Sequence, residues 1–294
     1  MDDMQNSMSA NYRPEMTDAG LDPTQPALAV DEYQNHRDMQ IAGERPLTIY
    51  VDRFEIVTLM TLGCQPELLT LGYLKNQDFF SELHEIRTIQ VDWEVNAVAV
   101  TTTEENTDWH EKLGTRTVTT GCGQGTIFGN LMEQLENIEI MPTKIRQSDI
   151  YATLKNLNAY NDVYKSAGAV HGCALCHNTE ILSFKEDVGR HNAVDAIAGE
   201  MWLNQIEGEG KLFYTTGRLT SEMLIKVAQM GISTLLSRSG ITRMGLQIAR
   251  DMGITLFSRA KGKHFLIYNG SENVKFDVDL PDKFEVANTK KAHR

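Results

Sequence analysis

The stretch from Lys211 to Phe257 constrains the fold more than any other part of the chain. Lys211-Leu212-Phe213-Tyr214 is a short apolar strand, and Leu219 to Met230 follows with helical periodicity, with Thr220 or Ser221 placed as N-cap and Glu222 in the first turn. Ile232 to Leu236 is a second strand, Ile241 to Met252 a helix stopped by Gly253, and Ile254 to Phe257 a third strand. Strand, helix, strand, helix, strand at this spacing predicts parallel pairing with right-handed crossovers. Ligands of such sheets bind at the carboxyl ends of the strands. The turns holding Gly217-Arg218 and Ser237-Arg238-Ser239-Gly240 are therefore the first candidates for a site. Glycine there lets the backbone come close to a ligand, and free amides at the following helix N-termini attract anions.

Upstream the pattern differs. Leu47, Ile49 and Val51 alternate with polar residues, and Phe54 to Met60 resumes after an Asp52-Arg53 turn, which predicts a hairpin. Pro66 to Leu74 reads as a helix, Ile86 to Thr103 alternates again, and Ser148 to Ser166 is one long helical pattern. Residues 1–45 hold nine acidic and three basic side chains with Pro14, Pro23 and Pro26 among them, and no clear periodicity. They read as a mostly disordered acidic arm. The expected organisation is that arm at 1–45, a β-rich subdomain at 46–147, an α/β domain at 148–280, and a polar tail at 281–294. No internal repeat is present.

The 294 residues allow one or two domains, and the net charge of −12 argues against a general nucleic-acid binder. No apolar run approaches the roughly 20 residues of a membrane helix, so no membrane partner is expected. Four cysteines and an N-terminus without a signal-peptide pattern favour reduced thiols in the cytoplasm. Against this acidic background, Arg238 to His264 carries six Lys or Arg and the single acid Asp251. That local excess points to a phosphate-bearing ligand near Arg238, Arg259 and Lys261, although Arg243 and Arg250 equally suit a solvated helix face. No P-loop or dinucleotide-binding glycine motif occurs.

Glu186-Asp187-Val188-Gly189-Arg190-His191-Asn192 precedes a helix start at Ala193, which places Arg190 and His191 at a helix N-terminus, where His191 could act as acid, base or anion donor. Cys64 reads as a small apolar filler. Cys122 lies in the glycine-rich run Gly121-Cys122-Gly123-Gln124-Gly125, where a thiolate can act as a nucleophile or can be an incidental loop thiol. His171-Gly172-Cys173-Ala174-Leu175-Cys176-His177 looks like metal ligation. A single Cys-x-x-Cys is a weak zinc signal, however, and Cys173 stands where a zinc deaminase needs its glutamate. Buried thiols are favoured over a metal or redox pair.

The run Glu186 to Asp195 closely resembles the signature of the FdhD family, the formate dehydrogenase accessory sulfurtransferases. Thr216-Gly217-Arg218, Ser221-Glu222-Met223, Ser237 to Thr242, Lys261-Gly262-Lys263-His264-Phe265 and, in the first half, Arg45 to Phe80 extend the likeness over roughly Pro46 to Gly270. The resemblance implies a cytidine-deaminase-like α/β core without deaminase activity and a smaller β-rich N-terminal part. It further implies sulfur carriage from a cysteine desulfurase to a molybdenum or tungsten bis(molybdopterin guanine dinucleotide) cofactor destined for a formate dehydrogenase. Cys122 matches the first position of the family's persulfide-bearing Cys-x-x-Cys loop, and Gly125 occupies the second. The cofactor-contacting segment matches Arg259, Ala260, Lys261, Gly262, Lys263 and His264. Together with Gly217, Arg218, Ser237, Arg238, Arg190 and His191 these form the expected cofactor cradle, for which a guanine nucleotide is a partial mimic. A non-catalytic cofactor-binding chaperone is the alternative from another class, and a homodimer stays open.

Overall fold

The computed structural model describes residues 12–104, 117–118, 125–126, 135 and 138–279. Its first half is built on a five-stranded sheet of order β1-β6-β7-β4-β5. The strands are β1 (Glu15–Met16), β4 (Arg45–Val51), β5 (Phe54–Thr61), β6 (Ile86–Asp92) and β7 (Ala97–Thr102); β2 (Thr24–Val30) and β3 (His36–Ala42) form a separate hairpin. The predicted β4–β5 hairpin is present, with Asp52 at φ 52° in its turn. Leu47, Ile49 and Val51 point into a core shared with helix α1 (Pro66–Asn76).

Residues 12–45 are not the irregular arm their composition suggested. β1 pairs parallel with β6, the Thr17 hydroxyl donates to Glu67, and the Trp93 indole donates to the Ala19 carbonyl. These few anchoring contacts involve scattered polar residues and leave no periodic trace in the sequence. Residues 1–11 lie outside the described residues.

Two short ladders follow, β8 (Thr117–Val118) with β9 (Gly125–Thr126), and β10 (Ile145–Arg146) with β17 (Val274–Lys275). The long helical pattern of Ser148 to Ser166 is broken in two. Helix α2 (Gln147–Asn156) runs into a 3-10 turn at Leu157–Ala159, and α3 (Asp162–Ala167) begins after Asn161, whose amide donates to the Leu157 carbonyl.

The second half is a six-stranded sheet of order β12-β11-β13-β14-β15-β16. Its members are β11 (His171–His177), β12 (Glu180–Asp187), β13 (Lys211–Thr215), β14 (Thr234–Ser237), β15 (Thr255–Lys261) and β16 (His264–Asn269). β13, β14 and β15 pair in parallel as the spacing predicted, connected through α5 (Ser221–Gln229) and α6 (Arg243–Asp251). Helix α4 (Arg190–Leu203) joins the two halves by packing on α1. The two backbones touch: a Cβ added at Gly72 would lie 1.7 Å from the Asp195 carbonyl oxygen, and one at Gly199 would lie 2.0 Å from that of Leu68. Only glycine fits at either place. Among the described residues, no helix is long and apolar enough to cross a membrane.

Candidate functional site

The carboxyl ends of β13, β14 and β15 form one continuous edge. Ser237 donates its hydroxyl to the Gly217 carbonyl at 2.7 Å and accepts from the Ser239 amide at 2.9 Å. The Arg238 amide donates to the Thr215 carbonyl, and the Arg259 amide to the Ser239 carbonyl. The Gly217 amide is taken by the Thr215 hydroxyl. These turn amides are therefore committed inside the edge, which leaves side chains as the groups that can meet a ligand there. Arg218, Arg238 and Arg259 are all exposed there, one from each successive strand end. Three guanidiniums along one edge match phosphate oxygens in charge and in donor geometry.

Beside them a cavity of about 230 Å³ is lined by His171, Thr216, Arg238, Asn161 and Tyr164. His171 Nδ1 lies 3.2 Å from the Thr216 hydroxyl. Burial, with Arg190 and Arg218 nearby, holds the His171 imidazole below its ordinary range and so favours the neutral ring. The sequence had marked His171 only as a companion of the cysteines.

The rest of the expected cradle divides in three. Lys261, Gly262, Lys263 and His264 are exposed in the β15–β16 hairpin, where Lys261 pairs with His264 and Gly262 has φ 59°. Ala260 is fully buried in the core on the other side of the sheet from α4, so its side chain is packing. Arg190 and His191 open α4 as predicted but are buried, and a Cβ at Gly217 would meet the Arg190 side chain at 2.6 Å. Arg190 thus supports the Gly217 turn from below, while Arg218 stands on its surface.

Beneath the edge runs a polar ladder that the sequence reading did not assemble. His191 and Asp195 lie one turn apart on α4, and Glu222 and Lys226 one turn apart on α5. His191 Nδ1 is 3.4 Å from Glu222, and the Lys226 ammonium is 2.8 and 2.6 Å from the two Asp195 oxygens. Asn76 of α1 donates to the same carboxylate at 2.7 Å. Burial, followed by the Lys226 and Arg190 charges, depresses the His191 pKa to about 2, so the ring is neutral. Burial pushes Asp195 upward, while Lys226 and Asn76 pull against it. The available signal was a lysine in the apolar run Leu224 to Ala228, since buried lysines are paired.

Asp187 binds the two halves together. Its carboxylate accepts from the Thr61 hydroxyl at 2.6 Å and from the amides of Leu62 and Gly189, while Asn192 bridges it to the Met60 carbonyl. Asp187, Gly189 and Asn192 of the Glu186 to Asn192 run thus hold α4 and β5 in place.

The metal or redox reading of Cys173 and Cys176 fails on geometry. Successive residues of β11 face opposite sides of the sheet, so Cys173 enters the core under α4 and α5 while Cys176 enters the core under α2. His171 and His177 sit at opposite ends of that strand, roughly 20 Å apart at the strand rise. Both thiols are fully buried, and burial pushes each up to about 12, as the packing reading expected. Cys64 is half-buried and raised to about 11. Cys122 lies outside the described residues.

Comparison with known proteins gives one consistent result. The FdhD/NarQ family model matches residues 42–275. A protein of Shouchella clausii named sulfur carrier protein FdhD is 28% identical over 242 residues, covering 81% of this chain and 91% of its own. One of the same name from Bacillus subtilis is 28% identical, covering 80% and 90%. A crystal structure from Desulfotalea psychrophila, described as a formate dehydrogenase accessory protein, superposes with a TM-score of 0.68 at 26% identity, covering 86% of this chain and 98% of that one.

Proposed function

The chain belongs to the FdhD/NarQ family, and from that premise we propose that it carries sulfur, as a persulfide on Cys122, from a cysteine desulfurase to a molybdenum or tungsten bis(molybdopterin guanine dinucleotide) substrate used by a formate dehydrogenase. The observation that carries this reading is the basic edge. Arg218, Arg238 and Arg259 stand exposed on three consecutive strand ends of a chain whose net charge is −12. Guanidiniums in that arrangement suit a ligand with several phosphates, and Lys261, Lys263 and His264 supply further cationic or donor groups on the adjoining hairpin. The cavity at His171 and Arg238 would take one end of such a ligand. The six-stranded sheet is read as the deaminase-like core, and the reduced thiols suit a cytoplasmic setting.

Loading balances without any redox partner. The Cys122 thiolate attacks the sulfane sulfur of the desulfurase persulfide, a new S–S bond forms, the donor S–S bond breaks, and the donor cysteine leaves as thiolate. Release as sulfide takes two electrons. A cysteine three residues after Cys122 would supply them by closing a disulfide, but that position is Gly125. Cys173 and Cys176 are buried with pKa values near 12, and Cys64 is at about 11, so they are poor thiolate sources. Release from this chain therefore draws on an external thiol.

Guanosine diphosphate binding followed by calorimetry tests the cradle. The edge reading expects Arg238→Ala and Arg259→Ala each to weaken binding; unchanged affinity in both overturns it. The chaperone alternative is favoured only if nucleotide binds and Cys122 accepts no sulfur.

A further inference from the structure

Thr216 clasps the start of β11 with two groups. Its amide donates to the Gly172 carbonyl at 2.9 Å, and its hydroxyl accepts from the Gly172 amide at 3.1 Å. The contact carries the β11–β13 ladder one residue past the Cys173–Thr215 pair and fixes the hydroxyl in place. The same oxygen lies 3.2 Å from His171 Nδ1. Among the described residues, Nδ1 is the one acceptor within reach of the Thr216 hydroxyl proton.

A neutral imidazole has one donor and one acceptor, and the bond made by one nitrogen sets the state of the other. With Nδ1 accepting from Thr216, the ring proton sits on Nε2. Nε2 has no hydrogen-bond partner among the described residues, and His171 lines the cavity of about 230 Å³ together with Arg238. Burial, with Arg190 and Arg218 nearby, keeps the ring neutral, so this donor brings no charge of its own. Tyr164 and Val170 add apolar wall to the same cavity. A directed hydrogen bond in such surroundings is stronger than in open water.

We propose that His171, held as its Nε2–H tautomer by Thr216, donates a hydrogen bond to an oxygen of the ligand bound at the basic edge. Thr216 is then a positioning residue. The inference rests on the reading of that edge as a cradle for a phosphate-bearing ligand, and adds a neutral donor to its cations. Arg238 supplies attraction to the shared cavity, whereas a single fixed N–H selects the direction from which an oxygen can approach. That oxygen belongs to a phosphate or to the carbonyl of a base.

The test has two parts. In the full-length chain with 15N-labelled histidine, the ring nitrogen shifts at about pH 7.5 report the tautomer, and His171→Gln identifies the His171 signals among those of eight histidines. The expected state is Nε2–H, lost in Thr216→Val and restored in Thr216→Ser. In calorimetry, His171→Ala should weaken guanosine diphosphate roughly three- to tenfold. Its salt dependence should stay that of the parent, because the lost group is uncharged. His171→Gln, whose amide can stand in for Nε2–H, should keep most of the affinity, and Thr216→Ser should recover what Thr216→Val loses. A shift of His171 Nε2 with inorganic pyrophosphate assigns the oxygen to phosphate; a shift with guanosine diphosphate alone assigns it to the base. An Nδ1–H tautomer in the parent chain, or no Nε2 shift with either probe, would overturn the proposal. Binding that needs Arg238 but survives His171→Ala unchanged would overturn it alone, whereas no binding by the parent would overturn the edge reading with it.

Discussion

Replacing Lys226 with methionine tests the polar ladder beneath the basic edge. Lys226 is 1% exposed, and its ammonium lies 2.8 and 2.6 Å from the oxygens of fully buried Asp195. Methionine keeps the apolar stem and removes the charge, leaving the carboxylate with the Asn76 amide at 2.7 Å as its one side-chain hydrogen bond among the described residues. Removing one partner of a buried ion pair costs about 3–5 kcal/mol, because the other charge is left uncompensated. At roughly 2–4 °C per kcal/mol for a chain of this size, Tm should fall by ~6–20 °C. The pH dependence is equally specific. Burial already pushes Asp195 upward and Lys226 opposes it, so without the lysine the carboxyl rises further. A carboxyl with its folded pKa above the unfolded value destabilises at high pH, and that cost shrinks as pH falls through the folded pKa and is gone below the unfolded one. Urea unfolding of Lys226→Met should therefore show a deficit against the parent that is large at about pH 7.5 and smaller at about pH 5. Adding Asp195→Asn should recover part of it, because an amide needs no counter-ion. A deficit below about 1 kcal/mol, or one that grows in acid, would refute the reasoning.

The N-terminal segment should matter for stability. Deleting residues 1–23 removes β1 and the partners of Glu67 and Trp93, so thermal melting should fall by several degrees, and an unchanged midpoint would contradict the packing described. His191 should make the fold acid-sensitive. Its ring titrates at about 6.5 unfolded and about 2 folded, so its stabilisation is complete above pH 6.5 and is lost as pH falls below it. His191→Gln should flatten the stability–pH slope below pH 6.5, and a parallel slope would exclude His191 as its source. At the edge, Arg238→Ala and Arg259→Ala should each weaken guanosine diphosphate binding by about 1–3 kcal/mol and reduce its salt dependence, as calorimetry at two ionic strengths would show.

Elements with a clear apolar pattern were legible from sequence. The β4–β5 hairpin showed because Leu47, Ile49 and Val51 alternate with more accessible residues, whereas α1 and the strands β13 to β15, buried nearly all round, showed as compact apolar runs of helix or strand length. The N-terminal strands did not, since β2 and β3 are nearly all exposed and β1 is held by two residues and a few polar bonds. α2 and α3 read as one helix because no proline or glycine marks the break, which is a 3-10 turn at Leu157–Ala159 held by the Asn161 amide on the Leu157 carbonyl. In the site, the exposed arginines at the strand ends could be found from topology alone. The distinction between a residue on the edge and one beneath it could not. Arg190 and Arg218 are identical in type, yet one is buried against Gly217 and the other faces solvent. The Asp195–Lys226–Asn76 cluster joins three helices distant in sequence, a coincidence visible only once they pack.

Sulfur carriage is proposed to rest on the Cys122 thiol. Incubation with a cysteine desulfurase and cysteine, followed by peptide mass spectrometry, tests this directly. Carriage on Cys122 predicts a gain of about 32 Da on the peptide holding it, reversed by an external thiol and absent from a folded Cys122→Ser variant. Persulfide on Cys64, Cys173 or Cys176 instead, with Cys122 unmodified, would contradict it.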